Sequence, residues 1–400
     1  MKILVVCQYF FPEQFKVNDI CFELVSMGHK VTVLTGLPNY PSGVVQQEYR
    51  WLRKRHEFIH GVEVIRAPLV GRGSGKLRLA LNYISFAFSA SLKALFIKKD
   101  FDVILVFQLS PVTMALPAIL LKKITGKKIV LFCQDLWPES IAAAGITAES
   151  SVYRFLLSLS RWIYQSADKI TISSRMFRNF FREVIGIESN LKYLPVYAEN
   201  FFEEIESKKA DSEHVNLVFA GNIGELQSVE TIIHAANRLK EFKHIRWHIV
   251  GGGSAREKCE LLAKGLGLDN VIFYGQRPIT DMPHFYSLAN AFLVTLKANK
   301  VISYTLPNKV QSYMASSKPI IGAIDGETRM VIEEANCGLC CEAEDDEVLS
   351  NLVIEFQNSK EMQLEFGLNS RKYYDEHFSK GMFFRQLINL LEEVKGNSDV

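Results

Sequence analysis

Two carboxylates flank a tryptophan in the segment DLWPE, residues 135–139, which directly follows the apolar run KIVLFCQ. Such a run is typical of a buried strand, so the carboxylates are predicted to stand at its carboxyl end. Asp135 could there accept a hydrogen bond or a proton from a substrate hydroxyl. It could equally cap a helix that begins at the Trp-Pro step, and capping is the favoured interpretation for Glu139. Both roles remain open for Asp135.

Lys309 is the strongest phosphate-binding candidate in the chain. It stands at the predicted start of a helix, in the run LPNKVQSYMASS. A cation there is unfavourable because the helix dipole already places positive charge at the N-terminus. A bound anion would explain the lysine, since helix N-termini bind phosphates through their backbone N–H groups.

Two glycine-rich loops follow predicted strands in the second half of the chain. The loop GNIG at 221–224 lets the backbone approach a ligand closely, and a ligand-binding role is favoured over a plain turn. The loop GGG at 251–253 precedes a helix predicted to begin near Ser254, where N–H groups could meet a phosphate. A tight turn that requires glycine explains 251–253 equally well.

Other motifs bear on cofactors and metals. The first predicted strand continues into VVCQYFFPEQF and lacks the G-x-G-x-x-G fingerprint, which weakens a dehydrogenase interpretation. Cys337 and Cys340 form a C-x-x-C pair, but no second Cys or His pair stands near them in sequence, so a zinc site would be incomplete. We therefore expect neither a metal nor a cofactor. The odd count of seven cysteines indicates a reducing compartment.

These motifs fall on an alternation of strands and helices that occurs twice. Runs such as VILVF lack the period-two alternation of half-exposed strands, as expected for strands covered on both faces. The predicted fold class is α/β: two Rossmann-like, doubly wound parallel-sheet domains that bind ligands at strand carboxyl ends and in the cleft between them. The predicted domains are 1–197 and 198–378, with a polar linker within 195–214. Residues 379–400 are predicted as a helix that crosses back to the first domain.

Charge is distributed unevenly along the 400 residues. Residues 1–200 carry 25 Lys and Arg against 15 Asp and Glu, whereas residues 201–400 carry 21 against 29. The composition, 48% hydrophobic and 22% charged, excludes a disordered or fibrous protein. The first half is therefore expected to face an anionic partner such as nucleic acid, phosphates or a lipid surface.

One apolar stretch, Leu79–Ile97, is long enough to raise the question of a membrane span. Four polar residues recur in it at helical spacing and form a stripe: Asn82, Ser85, Ser89 and Lys93. We predict an amphipathic helix rather than a span. Basic residues precede it: Arg53, Lys54, Arg55, Arg66, Arg72, Lys76 and Arg78. A basic, apolar helix can lie in a membrane interface, and a helix packed on a sheet beside a solvated basic loop is the alternative.

The whole chain resembles retaining glycosyltransferases of family 4, which have the GT-B fold. The segments that carry the resemblance include, in order, QYFFPE, PNYPSG, QDLWP, GNIGE and LPNKVQSYMASSKPIIG. This order is similar to that of bacterial enzymes of O-antigen, capsule and colanic acid assembly, among them N-acetylfucosaminyl transferases. The resemblance implies retaining, metal-independent transfer of a sugar such as N-acetyl-L-fucosamine from a UDP-sugar to a polyprenyl-diphosphate-linked saccharide. It also implies no nucleic-acid partner and a cytoplasmic enzyme held peripherally on the anionic leaflet of the inner membrane.

The residues and the resemblance together give three predicted sets of site residues. The catalytic residues are Asp135 and Glu13, although the resemblance implies that the leaving diphosphate itself helps to take the acceptor proton. The donor-binding residues are Gly221, Asn222, Gln227, Gly251, Gly252, Gln276, Arg277, Asn308 and Lys309. The acceptor-binding residues are Tyr40, Lys76, Arg78 and Trp137.

The chain departs from the family pattern where the family binds the donor diphosphate. Asn222 stands where many members have an arginine, and Tyr304 and Ser312 stand where they have paired glutamates. Gln134 replaces a histidine before Asp135. Lys309 is the expected replacement cation. These departures keep two alternatives open, a non-catalytic nucleotide-sugar-binding protein and a UDP-sugar epimerase of the same fold.

Overall fold

The chain, in a computed structural model, divides into two compact units. The first contains Met1–Ser173, Phe177–Leu194 and the residues from Gln386 onward, and the second contains Ser174–Met176 and Pro195–Arg385. The structure describes residues 1–51, 53–139, 149–202 and 213–396. Half of the predicted linker, and most of the helix predicted from the Trp-Pro step, lie outside the described residues.

The sheet of the first unit comprises β1 (Lys2–Val6), β2 (Lys30–Thr35), β3 (His56–Ile59), β4 (Val62–Arg66), β5 (Val103–Gln108), β6 (Ile129–Cys133), β7 (Lys169–Ile172) and β8 (Leu191–Tyr193). Their order is β3-β4-β2-β1-β5-β6-β7-β8, and only β3 and β4 pair antiparallel. The chain builds outward from β1 through β2 and β4, then outward from β5 to β8, so the topology switches between β1 and β5. Open α/β sheets bind ligands beyond the strand carboxyl ends at such a point.

Burial explains which strands the sequence predicted. Strands β5 and β6 are buried at every position, as their continuous apolar sequences indicate. The short edge strands β3 and β8 are only partly buried and carry no apolar run, so they were not predicted. The helices of this unit include Lys16–Ser26, Lys76–Phe96, Leu116–Thr125, Ser151–Ser166 and Phe177–Phe180, which continues into a π-helical turn at Phe181–Ile185.

The second unit also contains a sheet of parallel strands. Its strands are β9 (Val215–Ala220), β10 (Ile245–Val250), β11 (Val271–Gly275), β12 (Ala291–Thr295), β13 (Ile320–Ala323) and β14 (Gly338–Cys341). All pairs are parallel, in the order β11-β10-β9-β12-β13-β14, so this sheet switches between β9 and β12. The predicted class, two doubly wound parallel sheets, is confirmed.

Helices cover both faces of this second sheet and enclose two apolar layers. They include Val229–Arg238, Arg256–Gly265, Met282–Leu288, Lys300–Ser303, Asn308–Ala315, Glu327–Glu334, Asp346–Gln357 and Lys360–His377. The last described helix is Lys380–Gly396, and its residues from Gln386 onward group with the first unit.

The helix Lys76–Phe96 carries the predicted polar stripe on its inner side. Asn82 is fully buried, accepts a hydrogen bond from Gln8 Nε2 at 2.7 Å and donates one to the Val70 carbonyl at 2.7 Å. Ser85 Oγ accepts a hydrogen bond from the Val70 N–H, and Ser89 Oγ donates to the Pro68 carbonyl. The stripe lies inward because the preceding segment runs along the helix and its backbone groups need partners.

The outer side of the same helix is apolar. Its exposed side chains recur at helical spacing: Leu77, Leu81, Ile84, Phe88, Leu92, Leu95 and Phe96. Among the described residues, this is the one helix whose length and composition would allow it to cross a membrane, and 28% of its most apolar window is buried. Length and composition alone do not establish a span.

Candidate functional site

Close approach between the loops after β9 and β10 accounts for the glycines at 251–253. Gly251 has a φ of +149°, and a Cβ there would lie 1.8 Å from the carbonyl oxygen of Gly221. Gly253 has a φ of +153°, and a Cβ there would lie 2.3 Å from the carbonyl oxygen of Ile223. Only glycine satisfies both the backbone conformation and the contact. The tight turn that the sequence left open as an alternative therefore accounts for these glycines without a ligand.

The helix after this loop begins later than predicted. It starts at Arg256 rather than near Ser254, because a turn intervenes in which the Ala255 N–H donates to the Ile223 carbonyl at 3.0 Å. Gly252 lies beside Gln276, whose Cβ would be 3.3 Å from a Cβ at this glycine. The loops that end β9, β10 and β11 thus contact one another at the carboxyl edge of the sheet.

Lys309 reaches the end of β9, the central strand at the topology switch. The helix Asn308–Ala315 is fixed there because Tyr313 Oη donates to the Ala220 carbonyl at 2.9 Å and accepts from the Ala220 N–H at 3.0 Å. Lys309 Nζ lies 3.8 Å from the centre of the Phe219 ring. A Cβ at Gly221 would lie 3.0 Å from Nζ, so this glycine leaves the room that the ammonium occupies.

The charge of Lys309 has no carboxylate partner among residues 1–51, 53–139, 149–202 and 213–396. Its Nζ donates to Gln227 Oε1 at 3.0 Å, and the other contact is the aromatic ring. Burial lowers the pKa of Lys309 to about 7, because desolvation disfavours the ammonium form. A bound anion would reverse this effect, and the site is therefore suited to a phosphate or diphosphate.

Gln227 is held across the switch point by the end of β12. Thr295 Oγ1 donates to the Gln227 carbonyl at 2.6 Å, and the Lys297 N–H donates to the Leu226 carbonyl at 3.0 Å. Thr295 and Lys297 were not predicted as site residues. Their position at and just after the end of a buried strand that neighbours β9 is a signal that becomes useful only once the strand order is known.

The remaining predicted donor residues differ in their surroundings. Asn222 is exposed, and its Oδ1 lies 2.7 Å from the position of a Cβ at Gly253. Asn308 is exposed in the first turn of its helix. Arg277 is exposed and its Nε donates to the Tyr274 carbonyl at 3.1 Å. Within the described part of the chain, no contact joins Arg277 to Lys309.

In the first unit, a serine links two of the predicted residues. Ser110, which follows β5, donates a hydrogen bond through Oγ to Asp135 Oδ2 and accepts one from Trp137 Nε1 at 2.8 Å. Gln108 Nε2 holds the Asp135 carbonyl at 2.9 Å. Asp135 and Trp137 therefore stand together at the carboxyl ends of β5 and β6, beside the switch point of this sheet. Ser110 was not predicted, because nothing near it in sequence suggests a role.

Aromatic side chains and one arginine surround this acidic group. Tyr83 packs edge-on against Trp137, with ring centres 6.5 Å apart. Burial raises the pKa of Tyr83, with Arg72 opposing the rise and Asp135 adding to it. The Arg72 guanidinium also lies 5.7 Å from the ring centre of Tyr40, a predicted acceptor residue. This edge thus offers a carboxylate, rings and a cation.

Glu13 is buried and joins two backbone segments through hydrogen bonds. Its Oε1 accepts hydrogen bonds from the N–H groups of Asn39 at 2.8 Å and Tyr40 at 2.6 Å. Burial raises the pKa of Glu13, while these N–H groups and Arg66 act in the opposite direction. The carboxylate ties the segment after β1 to the segment after β2, and so determines where Tyr40 stands.

The remaining predicted residues of the first unit are Lys76, Arg78 and Glu139. Lys76 and Arg78 are exposed in the first turn of their helix. Glu139 Oε1 accepts a hydrogen bond from Tyr153 Oη at 2.5 Å, and the helix that it was predicted to cap lies mostly outside the described residues. In the described ranges, no group of three or more His, Cys, Asp or Glu side chains is arranged to hold a metal ion.

Two family models match the chain in sequence. A glycosyl transferase 4-like domain matches residues 16–196, and a model of glycosyl transferases group 1 matches residues 200–373. The chain is a glycosyltransferase of the GT-B type. The glycosyltransferase activity expected from the resemblance is confirmed at this level.

Curated relatives and solved structures agree with this assignment. The glycosyltransferase is 27% identical over 335 residues to the colanic acid biosynthesis glycosyl transferase WcaI of Escherichia coli (strain K12), covering 79% of this chain and 81% of WcaI. It is 26% identical over 248 residues to the glycosyltransferase WbjE of Pseudomonas aeruginosa, covering 59% and 61%.

Two solved structures show the shared fold of the glycosyltransferase. Sucrose-phosphate synthase of Thermosynechococcus elongatus superposes with a TM-score of 0.77 at 16% identity, covering 99% of each chain. HepE of Anabaena in complex with UDP-glucose gives a TM-score of 0.71 at 14% identity, covering 98% of this chain and 100% of HepE.

Replacing Lys309 by methionine is expected to raise the free energy of unfolding near neutral pH. The folded protein holds the lysine pKa at about 7, whereas the unfolded chain has the ordinary value of 10.5, so the unfolded state binds more protons between these pH values. The free energy of unfolding of the wild type should therefore rise relative to that of Lys309→Met as the pH rises from about 7 toward about 10. Urea denaturation of both proteins across this interval measures the difference. A difference that stays constant with pH would contradict the low pKa.

Proposed function

We propose that the glycosyltransferase moves a sugar, with retention, from a UDP-sugar to a polyprenyl-diphosphate-linked saccharide during assembly of a bacterial surface polysaccharide. The observation that carries the proposal is the partly buried Lys309 ammonium, which lies at the switch point of the second sheet without a carboxylate partner among the described residues. The name of WcaI and the bound UDP-glucose of HepE support the surface-polysaccharide context and the donor class. The proposed sugar is an N-acetylated deoxy-sugar such as N-acetyl-L-fucosamine.

The donor diphosphate is proposed to bind Lys309. Gln227 orients the ammonium. Gly221, Gly251 and Gly252 have no side chains, so the phosphates can approach the backbone of these loops. Exposed side chains beside these loops are proposed to contact the rest of the donor: Asn222, Gln276, Arg277 and Asn308. In this proposal the domain 198–378 holds the donor, and the domain 1–197 with the helix in 379–400 serves the acceptor.

The acceptor hydroxyl is proposed to approach Asp135. The bond between the anomeric carbon and the diphosphate oxygen breaks, a bond to the acceptor oxygen forms on the same face, and the hydroxyl proton passes to the departing diphosphate. Asp135 orients the hydroxyl and balances positive charge at the anomeric carbon, and Lys309 stabilises the departing diphosphate. Trp137 and Tyr40 provide apolar contacts for the saccharide, and Glu13 acts through the segment it holds. No metal ion takes part in this proposal.

Release of UDP in the presence of a lipid-linked acceptor distinguishes the proposal from its alternatives. A transferase releases UDP only when the acceptor is present, and the sugar appears on that acceptor. A binding protein releases none, and an epimerase alters the sugar without needing an acceptor. A UDP-sugar that binds but is never turned over with any lipid-linked acceptor would contradict the proposal.

The enzyme is further proposed to work on the cytoplasmic leaflet of the inner membrane. The outward apolar side of Lys76–Phe96 and the basic first half of the chain support peripheral attachment. Lys76 and Arg78, exposed in the first turn, would meet lipid phosphates or the acceptor diphosphate there.

Lys309→Ala is expected to weaken UDP binding about tenfold to hundredfold, because a charge-assisted hydrogen bond contributes roughly 1.5–3 kcal/mol. Isothermal titration calorimetry with UDP measures the change. Lys318→Ala is the matched control: this lysine is also buried and donates to the Ala289 carbonyl, but it precedes β13 at the opposite edge of the sheet. Unchanged UDP affinity in Lys309→Ala would remove Lys309 from the donor site.

Asp135→Asn is expected to lower turnover on the order of 100-fold or more, with folding and UDP binding little changed. Asparagine preserves shape and caps a helix about as well as aspartate, so the variant isolates the charge. Glu139→Gln is the control and should keep turnover near wild type. If Asp135→Asn is active while Asp135→Ala only loses stability, Asp135 is a helix cap and the catalytic assignment is wrong.

Vesicles containing anionic phosphatidylglycerol are expected to sediment the protein at low salt and to release much of it at high salt. Attraction between basic side chains and lipid phosphates is screened as the ionic strength rises. Neutral phosphatidylcholine vesicles serve as the control and should bind less protein. Attachment that resists salt and yields only to detergent would contradict a peripheral mode.

A further inference from the structure

Three helices of the first unit lie side by side on one face of its sheet. They are Lys76–Phe96, Leu116–Thr125 and Ser151–Ser166, and each packs against the next. Each lies in a connection between parallel strands, from β4 to β5, from β5 to β6 and from β6 to β7, and right-handed crossovers in one direction place helices on the same face. Their outer sides therefore face the same way.

The third helix carries an exposed apolar strip of its own. Val152, Phe155 and Trp162 recur at helical spacing, and Phe155 is 66% exposed and Trp162 43% exposed. The inner side of this helix is formed by Tyr153, Ser160, Ile163 and Tyr164. We call Val152, Phe155 and Trp162 the second strip, and the exposed apolar residues of Lys76–Phe96 the first strip.

The middle helix joins the two strips. Lys123 Nζ lies 5.7 Å from the centre of the Trp162 ring, so the second strip lies on the side of its helix that faces the middle one. Ile124 is exposed on the middle helix, and Leu120, one turn earlier, is partly buried. Apolar side chains thus continue across all three helices.

Charge identifies what covers this surface. The three helices contain seven Lys and Arg and no Asp or Glu: Lys76, Arg78, Lys93, Lys122, Lys123, Arg154 and Arg161. Of these, Lys122 is paired with Asp168 at 2.7 Å, and the positive charge of this surface comes from the other six. A second copy of the chain docked symmetrically here would bring like charges together, which disfavours association. An anionic bilayer offers apolar chains to the strips and phosphates to the cations.

We infer that the membrane-binding surface extends beyond Lys76–Phe96 and that the second strip, with Trp162 at its carboxyl end, inserts into an anionic lipid interface. Tryptophan suits such a position because its ring is amphipathic. Two separated strips hold the first unit in one orientation on the membrane, which a single helix, able to roll about its axis, does not. This inference rests on the proposed peripheral attachment.

Paired substitutions test the second strip. Vesicles of phosphatidylglycerol and phosphatidylethanolamine are titrated with Phe155→Ser/Trp162→Ser, with Ile84→Ser/Phe88→Ser in the first strip, and with the control Leu364→Ser/Leu368→Ser. The control residues are 71% and 72% exposed on the helix Lys360–His377 of the other unit. We expect about tenfold weaker binding for each strip pair, because apolar burial is lost, and no change for the control.

Tryptophan fluorescence detects insertion into the lipid directly, whether or not a substitution changes the affinity for vesicles. Lipids with brominated chains should quench the wild-type emission, and Trp162→Phe should remove a measurable part of that quenching. The inference is wrong if Phe155→Ser/Trp162→Ser binds vesicles like wild type and Trp162→Phe leaves the quenching unchanged. If the first-strip pair fails to bind at the same time, the protein attaches through Lys76–Phe96 alone. If the wild-type protein does not bind anionic vesicles, the proposed attachment itself is wrong.

Discussion

The charge of Lys309, which has no carboxylate partner among the described residues, constrains the carboxyl edge of the second sheet. A partly buried ammonium without such a partner is costly, and three features of the fold keep it at the end of β9. Tyr313 fixes the helix that carries it, Gly221 leaves room for it, and Gln227 accepts its hydrogen bond. Stability alone would favour replacing this lysine, and this cost supports the proposal that a ligand supplies negative charge there.

In the first unit, the backbone N–H and C=O groups of the segment before Lys76–Phe96 need hydrogen-bond partners. Asn82, Ser85 and Ser89 satisfy those groups, and in doing so they turn the polar side of the helix inward. The apolar side then has to face outward. Under the proposed function this exposed apolar surface would be useful beside a lipid-linked substrate, because the acceptor and the enzyme would meet in the same interface. Inner polar bonding and an outward apolar surface are thus two consequences of one helix orientation.

Sequence periodicity sufficed for the fold class and for placing Lys309 at the start of a helix, but not for the orientation of helices or for contacts between distant residues. Continuous apolar runs predicted β5 and β6, and the cation in a first helical turn predicted an anion site. A polar stripe shows that a helix has two sides without showing which side meets the protein, so the surroundings of Asn82 could not be foreseen. Gly251 and Gly253 are explained by the Gly221 and Ile223 carbonyls, each thirty residues earlier. Ser110 contacts Asp135 only because β5 and β6 are neighbours.

A buried lysine, unlike an arginine, can lose its charge, and this matters for the proposed diphosphate site. An arginine stays charged at every accessible pH, whereas burial lowers the pKa of Lys309 to about 7, so near neutrality much of the empty protein holds the neutral amine. An arriving diphosphate would favour the ammonium and draw a proton from solvent, which couples donor binding to pH. Departure of the diphosphate would release that proton again. Under the proposed function, donor binding at Lys309 is therefore coupled to proton uptake, which an arginine in the same place would not require.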